Sequence, residues 1–177
     1  VVAAYASFAA ATGTRITFFP NCIYGSWVNN AAALRPLVDS GQVQFGNHTF
    51  SHPNLTKLSD GGIVDELQKN AAVIKNTYGV DPAPYFRPPY GYLDARVQNV
   101  AASIGYSTPV MWYGSLGDSA LLEPWQVRSY GDEWFLAQHI VLGHANHPAV
   151  IEVLPDLLGF ITKRGLQTVT LNDVFIK

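Results

Sequence analysis

Apolar residues recur along this chain at two spacings, and the alternation between the two predicts its architecture. Ile63, Leu67, Ala71, Ile74 and Tyr78 return every three or four positions, the period of one helix face. Ser59 or Asp60 is placed to cap that helix, and Gly79 stands just past its end. Beside this helix over 60–78, similar patterns predict helices over 1–11, 30–40, 94–104, 124–136 and 148–164. Asp94 and Gly105 bracket the fourth, and Pro36 should kink the second or mark its true start. Short apolar runs between the helices predict strands over 15–19, 43–46, 85–87, 107–112, 140–143 and 167–170. The alternation predicts an α/β fold in one domain spanning 1–177, with no linker, repeat or low-complexity tract.

The chain opens on a helix. In strand–helix units the strand comes first and the helix packs back over the sheet. A leading helix therefore predicts a strand before Val1, or another segment covering the edges that its absence would expose.

Composition narrows the function. The chain is 48% hydrophobic and 14% charged, which suits inner strands covered on both faces. A net charge of −2 without a Lys/Arg run argues against nucleic acid or an anionic membrane as partner. The single Cys22 excludes an internal disulfide. No run is long and apolar enough for a membrane span, and no signal-peptide pattern is visible. Oligomeric state is not encoded in any feature of the pattern.

Three predicted strands deliver polar chemistry at their C-terminal ends, the face where barrels of alternating strands and helices gather their active sites. The first leads into Gly46-Asn47-His48-Thr49-Phe50-Ser51-His52-Pro53. Two imidazoles four apart would share one side of a helical turn and suit a divalent metal such as zinc. The second leads into Arg87-Pro88-Pro89-Tyr90-Gly91, and the third is Ile140-Val141-Leu142-Gly143-His144. Alternatives stand beside each. Arg87 could pair with a surface carboxylate, Tyr90 could be core packing, and Asp118 could be a turn residue after Gly117. His144 and His147 could form a second metal pair, although His147-Pro148 also reads as a helix start, and His139 reads as structural. Trp27, Tyr92, Tyr113 and Trp125 fall in expected loops, as sugar-stacking rings or as half-buried anchors.

Taken together and in this order, the three segments resemble the polysaccharide deacetylases of carbohydrate esterase family four, from about Ile16 to Phe175. The resemblance implies a distorted (β/α) barrel of the seven-stranded deacetylase type. It implies a metal-dependent hydrolase that removes acetyl groups from N- or O-acetylated polysaccharide, such as chitin oligomers, peptidoglycan or acetylxylan. It implies His48 and His52 as metal ligands, with zinc the expected ion and cobalt an alternative, and His144 as general acid. Tyr90 would offer its backbone N–H to the oxyanion, Arg87 would orient the base, and Leu142 would line the pocket for the acetyl methyl group. In the segment from Trp112, the family's second Asp survives as Asp118, expected to hydrogen-bond His144 and favour its protonated form. Trp112 itself belongs with the substrate-binding residues. A secreted or cell-envelope location follows from the polymers.

The departures are specific. The family's Asp-Asp motif supplies its base and third metal ligand, yet no two Asp residues are adjacent here. The motif belongs on a strand preceding Val1, where the alternation also expects one, so the domain reads as N-terminally incomplete and the chain as given as inactive. Ser115 and Ser119 replace the other Asp and the Trp of the segment after Trp112, and Ala145 replaces the Asp that usually follows the last His. Asp60 could in principle reach a third metal position. The rival functions are a non-catalytic carbohydrate-binding relative and an amidohydrolase acting on small amides.

Overall fold

The computed structural model describes residues 1–175. In chain order its elements are α1 (Val2–Thr12), β1 (Ile16–Phe18), α2 (Ser26–Asn29), α3 (Ala31–Asp39), β2 (Val43–Phe45), α4 (Asp60–Tyr78), β3 (Tyr85–Phe86), α5 (Ala95–Ser103), β4 (Thr108–Pro109), α6 (Pro124–Trp134), α7 (Ala149–Lys163) and α8 (Leu171–Phe175). Short 3₁₀ turns lie at Leu55–Lys57 and Pro89–Gly91. The chain divides into a larger unit, Ile16–Met111 with the segment from Thr170, and a smaller one, Val1–Arg15 with Trp112–Val169. No helix among the described residues is long and apolar enough to cross a membrane.

In the larger unit β1 pairs with β2 and β3 with β4, both in parallel. A further parallel bridge joins Asn47 to Phe86, so the continuation of β2 meets β3. Against these strands α4 buries the stripe its sequence predicts. Ile63, Leu67 and Ile74 are buried, and Ser59 Oγ accepts the Gly62 N–H at 3.2 Å. Ile63 and Leu67 join Leu55, Phe86, Val97, Ala101 and Tyr106 in one core. Each such side chain contributes about 1.5–3 kcal/mol by leaving water. Gly79 closes the helix at φ 77, where a Cβ would be strained.

In the smaller unit Leu116, Val127, Val150, Val153, Leu154 and Leu157 form a second core. Close approach of α6 and α7 depends on Gly131, where a Cβ would lie 2.1 Å from Leu157 Cδ2.

Each predicted helix forms within two residues of its expected ends. Pro36 lies inside α3 and does not start it. The strands hold less well. The 107–112 run shrinks to β4, and the 140–143 run makes only a bridge between Leu142 and Ser115. Backbone bonds from Tyr113 to Ile140, from Leu142 to Gly114 and from Leu116 to Leu142 surround that bridge, and Gly114 at φ 122 and Gly117 at φ 67 depart from strand geometry on its two sides. The 167–170 run is not a strand. Thr168 Oγ1 accepts the Arg15 N–H at 2.9 Å, and Thr170 bonds Asp173 to start α8, a five-residue helix too short to show a period.

Candidate functional site

Two buried asparagines set the path of the His48–His52 segment. Asn47 donates to the Leu67 carbonyl at 2.8 Å and accepts from the Thr49 N–H at 3.0 Å and from Asn70 at 2.9 Å. Asn70, on α4, also donates to the Pro20 carbonyl at 2.9 Å and accepts the Cys22 N–H at 2.9 Å. Glu66, one turn earlier on α4, holds Ser51 through its N–H at 2.8 Å and its hydroxyl at 2.7 Å. So anchored, the backbone takes left-handed conformations at Thr49 (φ 67) and His52 (φ 64), each of which costs on the order of 1–3 kcal/mol for a residue with a Cβ. Thr49 Oγ1 accepts the His52 N–H at 3.1 Å across the bend.

The two imidazoles do meet, with ring centroids 4.8 Å apart at 74°. They do so across this bend and not on the helical turn their spacing suggested, because the segment from 48 to 54 contains no helix. His48 Nδ1 lies 2.5 Å from the Arg87 carbonyl. A carbonyl only accepts, so Nδ1 carries the proton and the lone pair sits on Nε2. That tautomer is the one a metal ligand needs. His48 and His52 therefore fit two positions of a divalent-cation site. Among the described residues, no group of three His, Cys, Asp or Glu side chains is placed to hold a metal. Asp60 does not fill the gap, since its carboxylate pairs with Arg96 at 2.7 Å. The same observation leaves His144 and His147 outside any such cluster.

Arg87 also contributes its side chain, which lies over the Phe19 ring at 5.1 Å. Phe19 in turn presses on Gly46, where a Cβ would fall 2.3 Å from Phe19 Cε1. Tyr90 stands left-handed at φ 59 in the turn after Arg87. Its ring packs edge-on to His52 at 4.6 Å and stays 61% exposed, which removes the core-packing alternative.

In the smaller unit Asp118 is 1% exposed and faces His144. Its Oδ1 lies 2.9 Å from His144 Nδ1, and Oδ1 and Oδ2 accept the His144 N–H at 3.1 and 2.9 Å. The carboxylate thus fixes both the backbone and the ring of the residue it faces. A methyl group added at Gly143 would lie 3.7 Å from both Asp118 Oδ2 and Tyr5 Oη. Burial, and secondarily the Asp118 charge, pushes the Tyr5 hydroxyl far above its ordinary pKa. Leu142 is half-buried and pinned through Gly114 and Leu116, while Trp112 is half-buried and Ser119 exposed. His139 Nδ1 bonds the Trp134 carbonyl at 3.0 Å.

Of the residues expected at the site, the larger unit brings His48, His52, Arg87 and Tyr90 into one constellation. The smaller unit brings Asp118 to His144. Sequence reasoning missed Asn47, Asn70, Glu66, Phe19 and Tyr5. Asn70 left a readable signal, a polar residue on the apolar stripe between Leu67 and Ile74.

Among known proteins, the family model described as polysaccharide deacetylase matches residues 2–109. Chitin deacetylase 1 of Cryptococcus neoformans var. grubii is 36% identical over 124 residues, 67% of this chain and 25% of that protein. The peptidoglycan-N-acetylmuramic acid deacetylase PdaA of Bacillus subtilis is 28% identical over 174 residues, 91% of this chain and 61% of its own length. The chain thus spans only part of these relatives. A family 4 carbohydrate esterase from Streptomyces lividans, solved in complex with acetate, superposes with a TM-score of 0.81 at 23% identity, covering 95% of this chain and 84% of that one. That likeness assigns the distorted (β/α)-barrel fold class.

Proposed function

Because the chain belongs to the polysaccharide deacetylase family, we propose that it serves metal-dependent removal of acetyl groups from N- or O-acetylated polysaccharide. The observation that carries this reading is the His48 tautomer, set by the Arg87 carbonyl so that Nε2 offers a lone pair beside His52. Zinc is the expected ion, with cobalt as an alternative. When bound, the ion polarises the acetyl carbonyl and acidifies a water.

The remaining tasks fall to named groups. His144 presents Nε2 as proton donor to the leaving group, with Nδ1 held by Asp118 at 2.9 Å. Tyr90, left-handed at φ 59, would offer its backbone N–H to the developing oxyanion. Arg87 orients the carboxylate base, and Leu142 and Trp112 contact the acyl group and sugar. The base and the third ligand are carboxylates that no adjacent Asp pair of these residues supplies. The 177 residues alone accordingly release little acetate. A substrate among chitin oligomers, peptidoglycan and acetylxylan would go with a secreted or cell-envelope location.

The test is acetate release from acetylated oligosaccharides by the full-length protein that carries these residues. Substituting Ala for His48 or His144 is expected to abolish it, and turnover retained in either variant overturns the assignment. Sugar binding without turnover in the unsubstituted protein would establish a non-catalytic relative. Turnover of small amides alone would establish an amidohydrolase.

A further inference from the structure

Four aromatic residues stood out in the sequence as possible sugar platforms, and the structure separates them. Trp27 is buried in α2. Tyr92, Tyr113 and Trp125 are exposed, and of these Tyr113 packs against two other rings. Its ring is 68% exposed, yet it meets Trp134 at 6.2 Å and 86° and His139 at 4.8 Å and 79°. Its N–H is tied to the Ile140 carbonyl at 2.8 Å.

Three backbone and packing devices maintain this placement. Gly114 follows at φ 122, where a Cβ would lie 2.8 Å from Trp134 Cβ, so only glycine lets Trp134 come this close. Gln138 is left-handed at φ 63, immediately before His139. His139 is fixed by its Nδ1 bond to the Trp134 carbonyl at 3.0 Å. An isolated exposed ring needs no explanation. A ring steadied by two perpendicular neighbours and strained backbone, but left open to water, has its ordering cost met before any ligand arrives.

We infer that Tyr113, steadied by His139 and Trp134, is a stacking platform for a pyranose ring, a carbohydrate-binding subsite of the chain. The hydrocarbon face of a pyranose lies flat on an aromatic ring. The Tyr113 hydroxyl and His139 Nε2, left an acceptor by the bond at Nδ1, suit the hydroxyl groups around the sugar's rim. The inference rests on the reading that the ligand is polysaccharide.

The test is calorimetric titration of the full-length protein with soluble chitin oligosaccharides of increasing length, alongside acetate release. Tyr113→Ala is expected to weaken affinity for the longer oligomers roughly three- to tenfold. Tyr113→Phe should stay within about twofold, because the ring and not the hydroxyl supplies the stacking. Tyr113→Leu, which keeps an apolar side chain without a flat face, should match Tyr113→Ala and serves if the alanine variant does not fold. Normal turnover with unchanged affinity in a folded Tyr113→Ala or Tyr113→Leu protein overturns the platform and leaves the deacetylase reading intact. Weakened binding in a protein that turns over no acetylated sugar supports the platform and overturns the deacetylase reading. Absence of oligosaccharide binding by the unsubstituted protein overturns both.

Discussion

At His48 the ring nitrogen Nδ1 meets a main-chain carbonyl, whereas at His144 it meets a buried carboxylate. A carbonyl accepts a proton's hydrogen bond but carries no charge, so it favours a neutral imidazole whose other nitrogen offers a lone pair. A carboxylate compensates the positive charge that appears when the other nitrogen takes up a proton. Under the proposed function, the first environment suits metal ligation in the larger unit and the second suits proton transfer in the smaller. The supports differ in kind as well. The His48 segment is held by Asn47, Asn70 and Glu66, while His144 hangs on Asp118 through both ring and backbone.

The sharpest way to break this comparison is to remove charge from the second pair alone. Asp118→Asn keeps the shape of the acceptor and is expected to lower acetate release by the full-length protein about 10²–10⁴-fold. Its zinc content, measured by atomic absorption after dialysis, should be unchanged. Loss of zinc in this variant would mean that the two imidazoles do not have separate tasks.

A smaller effect is expected at the first pair's support. Asn70→Ala leaves the Pro20 carbonyl, the Cys22 N–H and one bond of Asn47 without their partner. Urea unfolding should show a loss of about 1–3 kcal/mol. Zinc affinity of the full-length protein should fall about 10–100-fold, as for other groups that orient a ligand. Unchanged affinity in the destabilised variant would reduce Asn70 to a purely structural role.

At neutral pH the least visible effect is the alkaline pH dependence of the larger unit. Burial pushes the Cys22 thiol up from 9.0 to about 12, and Tyr78 and Tyr106 up from 10.0 to about 12. Their raised values mean that the folded state keeps protons the unfolded state gives up. Stability is therefore intact below pH 9 and falls as the pH rises from there toward 12. Each group steepens the fall by at most about 1.4 kcal/mol per pH unit. Cys22→Ala should flatten the early part of this fall in urea melts between pH 8.5 and 10.5, values chosen to bracket roughly the thiol's unfolded range. A slope identical to that of the unsubstituted protein would remove Cys22 from the account.

The helices were legible in sequence because their stripes are long. Ile63 to Tyr78 repeats over several turns, and Ser59, Asp94 and Gly79 punctuate where the pattern stops. The strands were legible as apolar runs, but their lengths depend on partners that sequence does not display. The run ending in Leu142 makes a single bridge, to Ser115, in a segment where Gly114 and Gly117 both leave strand geometry. The site residues were legible through motif order. Their geometry was not, since the meeting of His48 with His52 rests on two left-handed residues and on Asn70, twenty-two positions further along. Tyr5 gave no signal at all, as one of two aromatic residues, with Phe8, in an alanine-rich helix.

The acceptor that orients His48 is a peptide oxygen, and a peptide oxygen has no codon of its own. Residue 87 thus holds two offices that substitution can separate. Replacing the guanidinium by Lys or Met would strip whatever Arg87 does through its side chain while the ring of His48 keeps its tautomer. Disturbing that tautomer takes a change in the course of the chain, through a residue inserted or deleted between Phe86 and Pro88. Substitution at position 87 therefore tests the side chain's task separately from the tautomer of His48, provided the spacing around it stays fixed.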